Sequence, residues 1–246
     1  KKHTNVKSEN LSNLKDISFS HLHCHSSYSV LQASCDISDI ISKAKLYKMQ
    51  SVALTDIGNM YASYKFVCEA INNDIKPILG CELYITNNHK IRKFTKDNPD
   101  RRSTVVFLAK NRVGYHNLAK LSSHAFIDGL YAGCPRIDKE LIIQYKEGLI
   151  AITGGLNAEI PNLILNIGEN QAEENFVWWY ENFGEDFYVE LIRHGLEENN
   201  HVNNVLLNFA KKYNVKYFAS NNVFYLDKKD AVSHDLLLCV KDGVLK

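Results

Sequence analysis

The sequence predicts an α/β protein in which seven strands alternate with helices and close as a β/α barrel. Three observations carry that expectation. From Ile17 onward, short apolar or alternating runs rich in Val, Ile and Tyr trade places with longer runs of helical periodicity. The 246 residues suit a single barrel domain with a substantial core. Lastly, His23, Asp56, Glu82 and Asn221 each fall at or just past the carboxyl end of a different predicted strand, where a β/α barrel gathers its active site. An open doubly wound sheet shares the alternation, so it is the polar residues at the strand exits that favour the barrel.

The strands are read at 17–24, 51–56, 75–86, 103–109, 148–153, 186–192 and 215–220. Between the first two, Ile37, Ile40, Ile41 and Ala44 mark a helix by their 3–4 spacing, and Tyr64, Phe66, Val67 and Ala70 mark the next. Later helices are read at 112–126, 170–183 and 197–213, the last with Val202, Val205, Leu206 and Phe209 on one stripe. Phe176, Trp178, Trp179 and Tyr180 lie in a helical stretch and read as packing residues rather than a base-stacking platform. No internal repeat or low-complexity segment interrupts the pattern. Residues 1–16 read as a polar linker from an upstream region, neither signal peptide nor membrane span.

Hydrophobic residues make up 45% and charged residues 23%, a globular composition that excludes a largely disordered or fibrous chain. With a formal net charge of +1, affinity for nucleic acid would have to come from a local patch. The strongest patch is 90–102, where Lys90, Arg92, Lys93, Lys96, Arg101 and Arg102 face Asp97 and Asp100; charged loops of this kind usually read as solvated and mobile. Six scattered cysteines with no CxxC pair suit a reducing, cytoplasmic setting.

His21, His23 and His25 alternate with Leu22 and Cys24, so an extended chain aims the three imidazoles to one face. Such a row fits either a metal site or a set of hydrogen-bonded histidines at a strand end. Asp56 and Glu82 taken singly read as helix caps or loop anchors. Gathered with His23 and His25 at one barrel mouth, they form part of what metal-assisted phosphoester hydrolysis requires. His194, in RHGLEEN, is read as either pointing into the same mouth or capping the helix that follows, with the cap favoured. Phosphate loops of the GxxxxGK[ST] and GxGxxG types and a GxSxG elbow are absent.

An ordered series of segments is more specific: FSHLHCHSSYSVLQAS (19–34), ALTDIGNMYASYKF (53–66), IKPILGCELYIT (75–86), FLAKNRVGYHNLAKLSS (107–123), PRIDKELI (135–142), AITGGL (151–156) and HDLLLCVKDG (234–243). Together they resemble the PHP (polymerase and histidinol phosphatase) domain of bacterial DNA polymerase III alpha subunits, from Phe19 to Lys246, with features of the Bacteroidetes branch. The resemblance implies a distorted seven-stranded, TIM-like β/α barrel over 17–246. It also implies a parent DNA-directed DNA polymerase whose Mg-dependent catalytic modules lie outside this segment. The expected partners are the polymerase core of the same chain and, through it, DNA and replisome subunits, with no membrane.

Members of this family with an intact site hold a cluster of metal ions on about nine ligands. The resemblance implies that His23, His25 and Glu82 keep three of those positions, with Asp56 as a neighbouring carboxylate. Six others are altered, to Gln32, Ile57, Thr104, Gly155, Asn222 and Phe224. Ile and Phe offer no lone pair to a metal. The expectation is therefore a site with no catalytic residues of its own and no firmly bound cofactor. It would hold at most one Zn, Mn or Mg ion, in a domain that serves as a structural platform.

Overall fold

The computed structural model describes residues 18–97 and 99–244. The predicted linker over 1–16 lies outside the described residues. Strands β1 (Ser51–Leu54), β2 (Lys76–Ile85), β3 (Ser103–Ala109), β4 (Arg136–Ile137), β5 (Leu149–Ile152), β6 (Phe187–Ile192) and β7 (Lys216–Ser220) alternate with helices. These are α1 (Ile37–Leu46), α2 (Ser63–Asn72), α3 (Arg112–Ile127), α4 (Lys139–Tyr145), α5 (Glu159–Asn166), α6 (Glu169–Phe183), α7 (Glu197–Tyr213) and α8 (Ala231–Asp242). None is long and apolar enough to cross a membrane.

Local chemistry accounts for the element boundaries that matter to the site. Asp36 starts α1 by accepting the Ser38 N–H at 2.9 Å, and its stripe of Ile37, Ile40, Ile41 and Ala44 is buried as predicted. Asn111 and Asp138 cap α3 and α4 in the same way, accepting from Gly114 and Leu141. Asn214, at φ 55°, ends α7 in the left-handed region that Asn tolerates.

The strand order is β1-β2-β3-β5-β6-β7, with β4 added beside β2. β1 and β2 are parallel, as are β5, β6 and β7, but β3 runs antiparallel to both β2 and β5. That reversal distorts the barrel away from an all-parallel ring. Six predicted strands form in place. The seventh, 17–24, is corrected: residues 18–24 make no regular strand, only a parallel bridge between Cys24 and Val223.

This segment nevertheless closes the ring. On one flank the Ala53 N–H donates to the His21 carbonyl and the Thr55 N–H to that of Cys24, both at 2.8 Å. On the other flank, the His25 N–H donates to Val223 O at 2.9 Å and the Val223 N–H to His23 O at 3.0 Å. Two residues of advance along 53–55 are thus matched by three along 21–24, a bulge that breaks the ladder. β4 is the strand the sequence pattern misses, because two residues carry no periodicity.

Inside the ring, Ala53, Val106, Leu108 and Ile152 pack with Leu22, Ile78, Ile150 and Phe218 as an apolar floor. Gly80 belongs to this inward row, and a Cβ there would lie 2.5 Å from the Phe107 carbonyl, so only glycine lets β2 and β3 close beneath Glu82. Outside, one large cluster fills the space between the sheet and helices α3–α7, with Phe176 and Trp179 buried in it. A second joins Val52 and Leu54 of β1 to α1 and α2.

Candidate metal centre

Above the apolar floor, the inward-facing positions turn polar. His23 and His25 from the closing segment meet Glu82 from β2, and one atom from each lies within 4.8 Å of the others. Glu82 Oε2 is the shared point, 3.4 Å from His23 Nε2 and 2.8 Å from His25 Nε2. All three side chains are buried.

The far nitrogens of both rings are fixed as well. His25 Nδ1 donates to the Val223 carbonyl at 3.0 Å. His23 Nδ1 donates to Glu190 at 3.0 Å. In each ring this leaves Nε2 as the free ligand atom, the outer-shell arrangement that orients metal-binding histidines. Burial acts to lower the His23 pKa, but the Glu190 charge and the bonds to Glu190 and Glu82 override it and raise it to about 10. Burial acts to raise Glu82, and its bonds to His23 and His25 instead hold it well below the usual carboxylate range. The pocket therefore suits either a proton on the His23 imidazole or one cation among three ligands.

Glu190 is the functional side chain that sequence reasoning does not single out. It stands in the apolar strand FYVELI, and its backbone N–H donates to Thr153 Oγ1 at 2.9 Å. The available signal was an acid at an inward-parity position of a strand otherwise built for burial.

Asp56 lies beside the trio but outside it. Its Oδ1 accepts the Ser26 N–H and the Ser29 hydroxyl, and its Oδ2 the Ser26 hydroxyl, all at 2.7 Å. It anchors the turn after His25, and burial pushes its pKa up against these bonds. His21 is drawn away by the bulge: its ring edges against Phe19 with centroids 4.9 Å apart, and its buried Nδ1 has no partner.

The six positions that the resemblance marks as altered have varied surroundings. Phe224 stacks flat on His25, centroids 4.3 Å apart at 9°. Ile57 bridges to Glu82 through its backbone. Gly155 faces the amide of Asn222, whose Oδ1 is buried without a partner, as is Thr104 Oγ1 on β3. Gln32 is half-buried, its carbonyl accepting from His234 and its Oε1 from Lys241, with its side chain also bonded to Tyr84. The residues present thus fit one three-ligand ion and do not fit a multi-metal cluster. His194 is a correction: Leu196, not His194, occupies the cap position of α7, and the His194 side chain lines a cavity beside the site.

Residues 21–194 match the PHP domain family. The chain is 40% identical over 228 residues to DNA polymerase III subunit alpha of Borreliella burgdorferi, covering 93% of this chain and 20% of that protein. The same subunit of Treponema pallidum is 37% identical (91% and 19%), and that of Thermus aquaticus 36% (92% and 19%). The chain therefore spans about a fifth of the length of these relatives.

Among solved structures, a Bifidobacterium adolescentis protein assigned as a metal-dependent phosphoesterase superimposes with a TM-score of 0.53 at 11% identity, covering 85% of this chain and 88% of that one. An amidohydrolase from Chromobacterium violaceum, with bound sulfate and no metal, gives 0.54 at 12%, covering 84% and 87%. These two share the fold. With a matching barrel, the His23–His25–Glu82 trio and homology along nine-tenths of its length, the chain belongs to the PHP domain family, in the form carried by bacterial DNA polymerase III alpha subunits.

Proposed function

We propose that this PHP domain is a metal-poor structural platform within a replicative DNA-directed DNA polymerase, the DNA polymerase III alpha subunit. Its direct partner is the polymerase core of the same chain; DNA and replisome subunits are reached through that core, in the cytoplasm. Mg-dependent nucleotidyl transfer belongs to modules beyond this segment. The observation that carries the reading is the stacking of Phe224 on His25. Phe224 sets an aromatic ring against the face of His25 and brings no lone pair to the trio, and Ile57, Gly155 and Asn222 supply no charge to replace one.

Two-metal phosphoester chemistry needs paired ions to clamp the attacking and leaving oxygens, and three ligands hold only one. The His23–His25–Glu82 geometry supports a second reading, a single-ion phosphoesterase or 3′–5′ exonuclease, with Zn, Mn or Mg as the ion.

Elemental analysis of the purified protein, beside a His23→Ala/His25→Ala variant, separates the two. Substoichiometric metal in both, with no metal-stimulated trimming of DNA 3′ ends, is the expected result. One or more tightly held ions per chain, lost in the variant together with 3′-end trimming, would overturn the platform reading.

A further inference from the structure

Helix α8 differs from the others in what it buries. Each of α1–α7 buries two or more residues, whereas none of the 12 residues of α8 is buried. Its sequence, AVSHDLLLCVKD, nevertheless carries an unbroken apolar run from Leu236 to Val240. An apolar run left at a surface marks a contact face rather than a solvated helix.

The two sides of α8 are unlike. One side is fixed to the barrel: His234 Nε2 donates to the Gln32 carbonyl at 2.7 Å, and its ring lies against Phe224 and Tyr225. Lys241, seven residues on and therefore on the same side, donates to Gln32 Oε1 at 3.2 Å. Val232 and Leu236 each stand two residues from His234, which puts them across the helix from it. Val240 continues their stripe at the same spacing. These three side chains are 62%, 49% and 69% exposed. Gly243, at φ 66°, then ends the helix, and the Val244 N–H closes back on the Cys239 carbonyl at 3.1 Å. Val244 is exposed as well, so a fourth apolar side chain stands where the chain leaves the domain.

We propose that the Val232–Leu236–Val240 stripe is the face on which the polymerase core of the same chain docks, an apolar groove of the core receiving the outer side of α8. The inference rests on the platform reading and gives that platform its contact face. Two observations choose this occupant. The chain spans about a fifth of the length of its relatives, and a core joined past Gly243 is held beside the stripe by its own covalent link, at an effective concentration that a separate partner lacks. The anchors at His234 and Lys241 also hold α8 in place before docking, so little ordering remains to be done when the groove closes over it.

The test is hydroxyl-radical footprinting of the full-length subunit, with Leu46, a leucine 68% exposed on α1, as the reference. Leu236 is expected to be labelled several-fold more slowly than Leu46, with Val232 and Val240 protected alongside it. Leu236→Glu should speed tryptic cleavage just beyond α8 several-fold and lower the melting temperature of the core, while hydrogen exchange across β2 and β6 stays at the parent level; Leu46→Glu should change neither. The proposal is overturned if Leu236 is labelled as fast as Leu46, or if Leu236→Glu cleaves and melts like the parent. It is equally overturned if light scattering finds a dimer that Leu236→Glu converts to monomers, since the occupant is then a second copy. Should the substitution disturb exchange in the barrel, the footprint of the unaltered subunit decides alone. Metal content and 3′-end trimming report on the trio, so an uncovered α8 beside substoichiometric metal would remove this face and leave the platform reading standing.

Discussion

Glu82 sits between two buried imidazoles, and the balance of charge around it depends on a residue from the far side of the barrel. His23 is held between Glu82 and Glu190, so removing Glu190 leaves a fully buried ring without its principal counter-charge. Breaking a buried pair from one side typically costs about 3–5 kcal/mol. Glu190→Ala is therefore expected to lower unfolding stability by about that amount in urea titrations. Glu190→Gln, which retains an acceptor for Nδ1, should cost distinctly less; equal losses would show that the charge is irrelevant. His23, His25 and Glu82 were legible in the sequence because alternation and a strand-end carboxylate are local patterns. Glu190 was not, because a single acid in an apolar strand gains its meaning only from the imidazole opposite.

At the scale of elements, the 90–102 run shows how charge alone misleads. Its six cations read as a solvated, mobile loop, yet the loop is pinned from below by Arg136, whose side chain is fully buried. That guanidinium donates to the carbonyls of Gly129, His89 and Ile91 and to Asp100, and it lies over the rings of Phe94 and Tyr131. His89 is tied in turn to Asp138, which caps α4. Arg136→Met should release the loop, read as faster tryptic cleavage between Lys90 and Arg102 with the barrel otherwise intact.

Acid should release it too. Burial acts to raise Asp100 and Asp138, but the bonds to Asp100 from Arg102 and Arg136, and to Asp138 chiefly from His89, hold both pKa values below the usual range. A depressed carboxylate contributes stability above its unfolded pKa of about 4 and loses it as pH falls through the folded value. Pepsin nicking near Phe94 is thus expected to rise below about pH 4; cleavage independent of pH through that window would refute the pinning account. The cations were visible in the sequence, but their anchor, an Arg thirty-odd residues downstream, was not.

For the molecule as a whole, closure of the barrel rests on the bulged segment 21–25, wedged between β1 and the chain after β7. Val223→Pro removes the N–H that donates to His23 O and leaves a carbonyl unpaired, a loss of about 1–3 kcal/mol. Hydrogen exchange should then accelerate not only at His25 but across the segment at Ala53 and Thr55; a change confined to residue 223 and its neighbours would mean the two flanks are uncoupled. The sequence by itself determined the family, six of the strands and the candidate trio His23–His25–Glu82, because periodicity, strand exits and ordered motifs are written in short stretches of chain. Only the tertiary structure decided the reversal of β3, the bulged closure and the Glu190 brace. Each of these arises between segments far apart in the chain, such as His23 and Glu190 at a separation of 167 residues, and no local pattern encodes which distant side chains will share a low-dielectric interior.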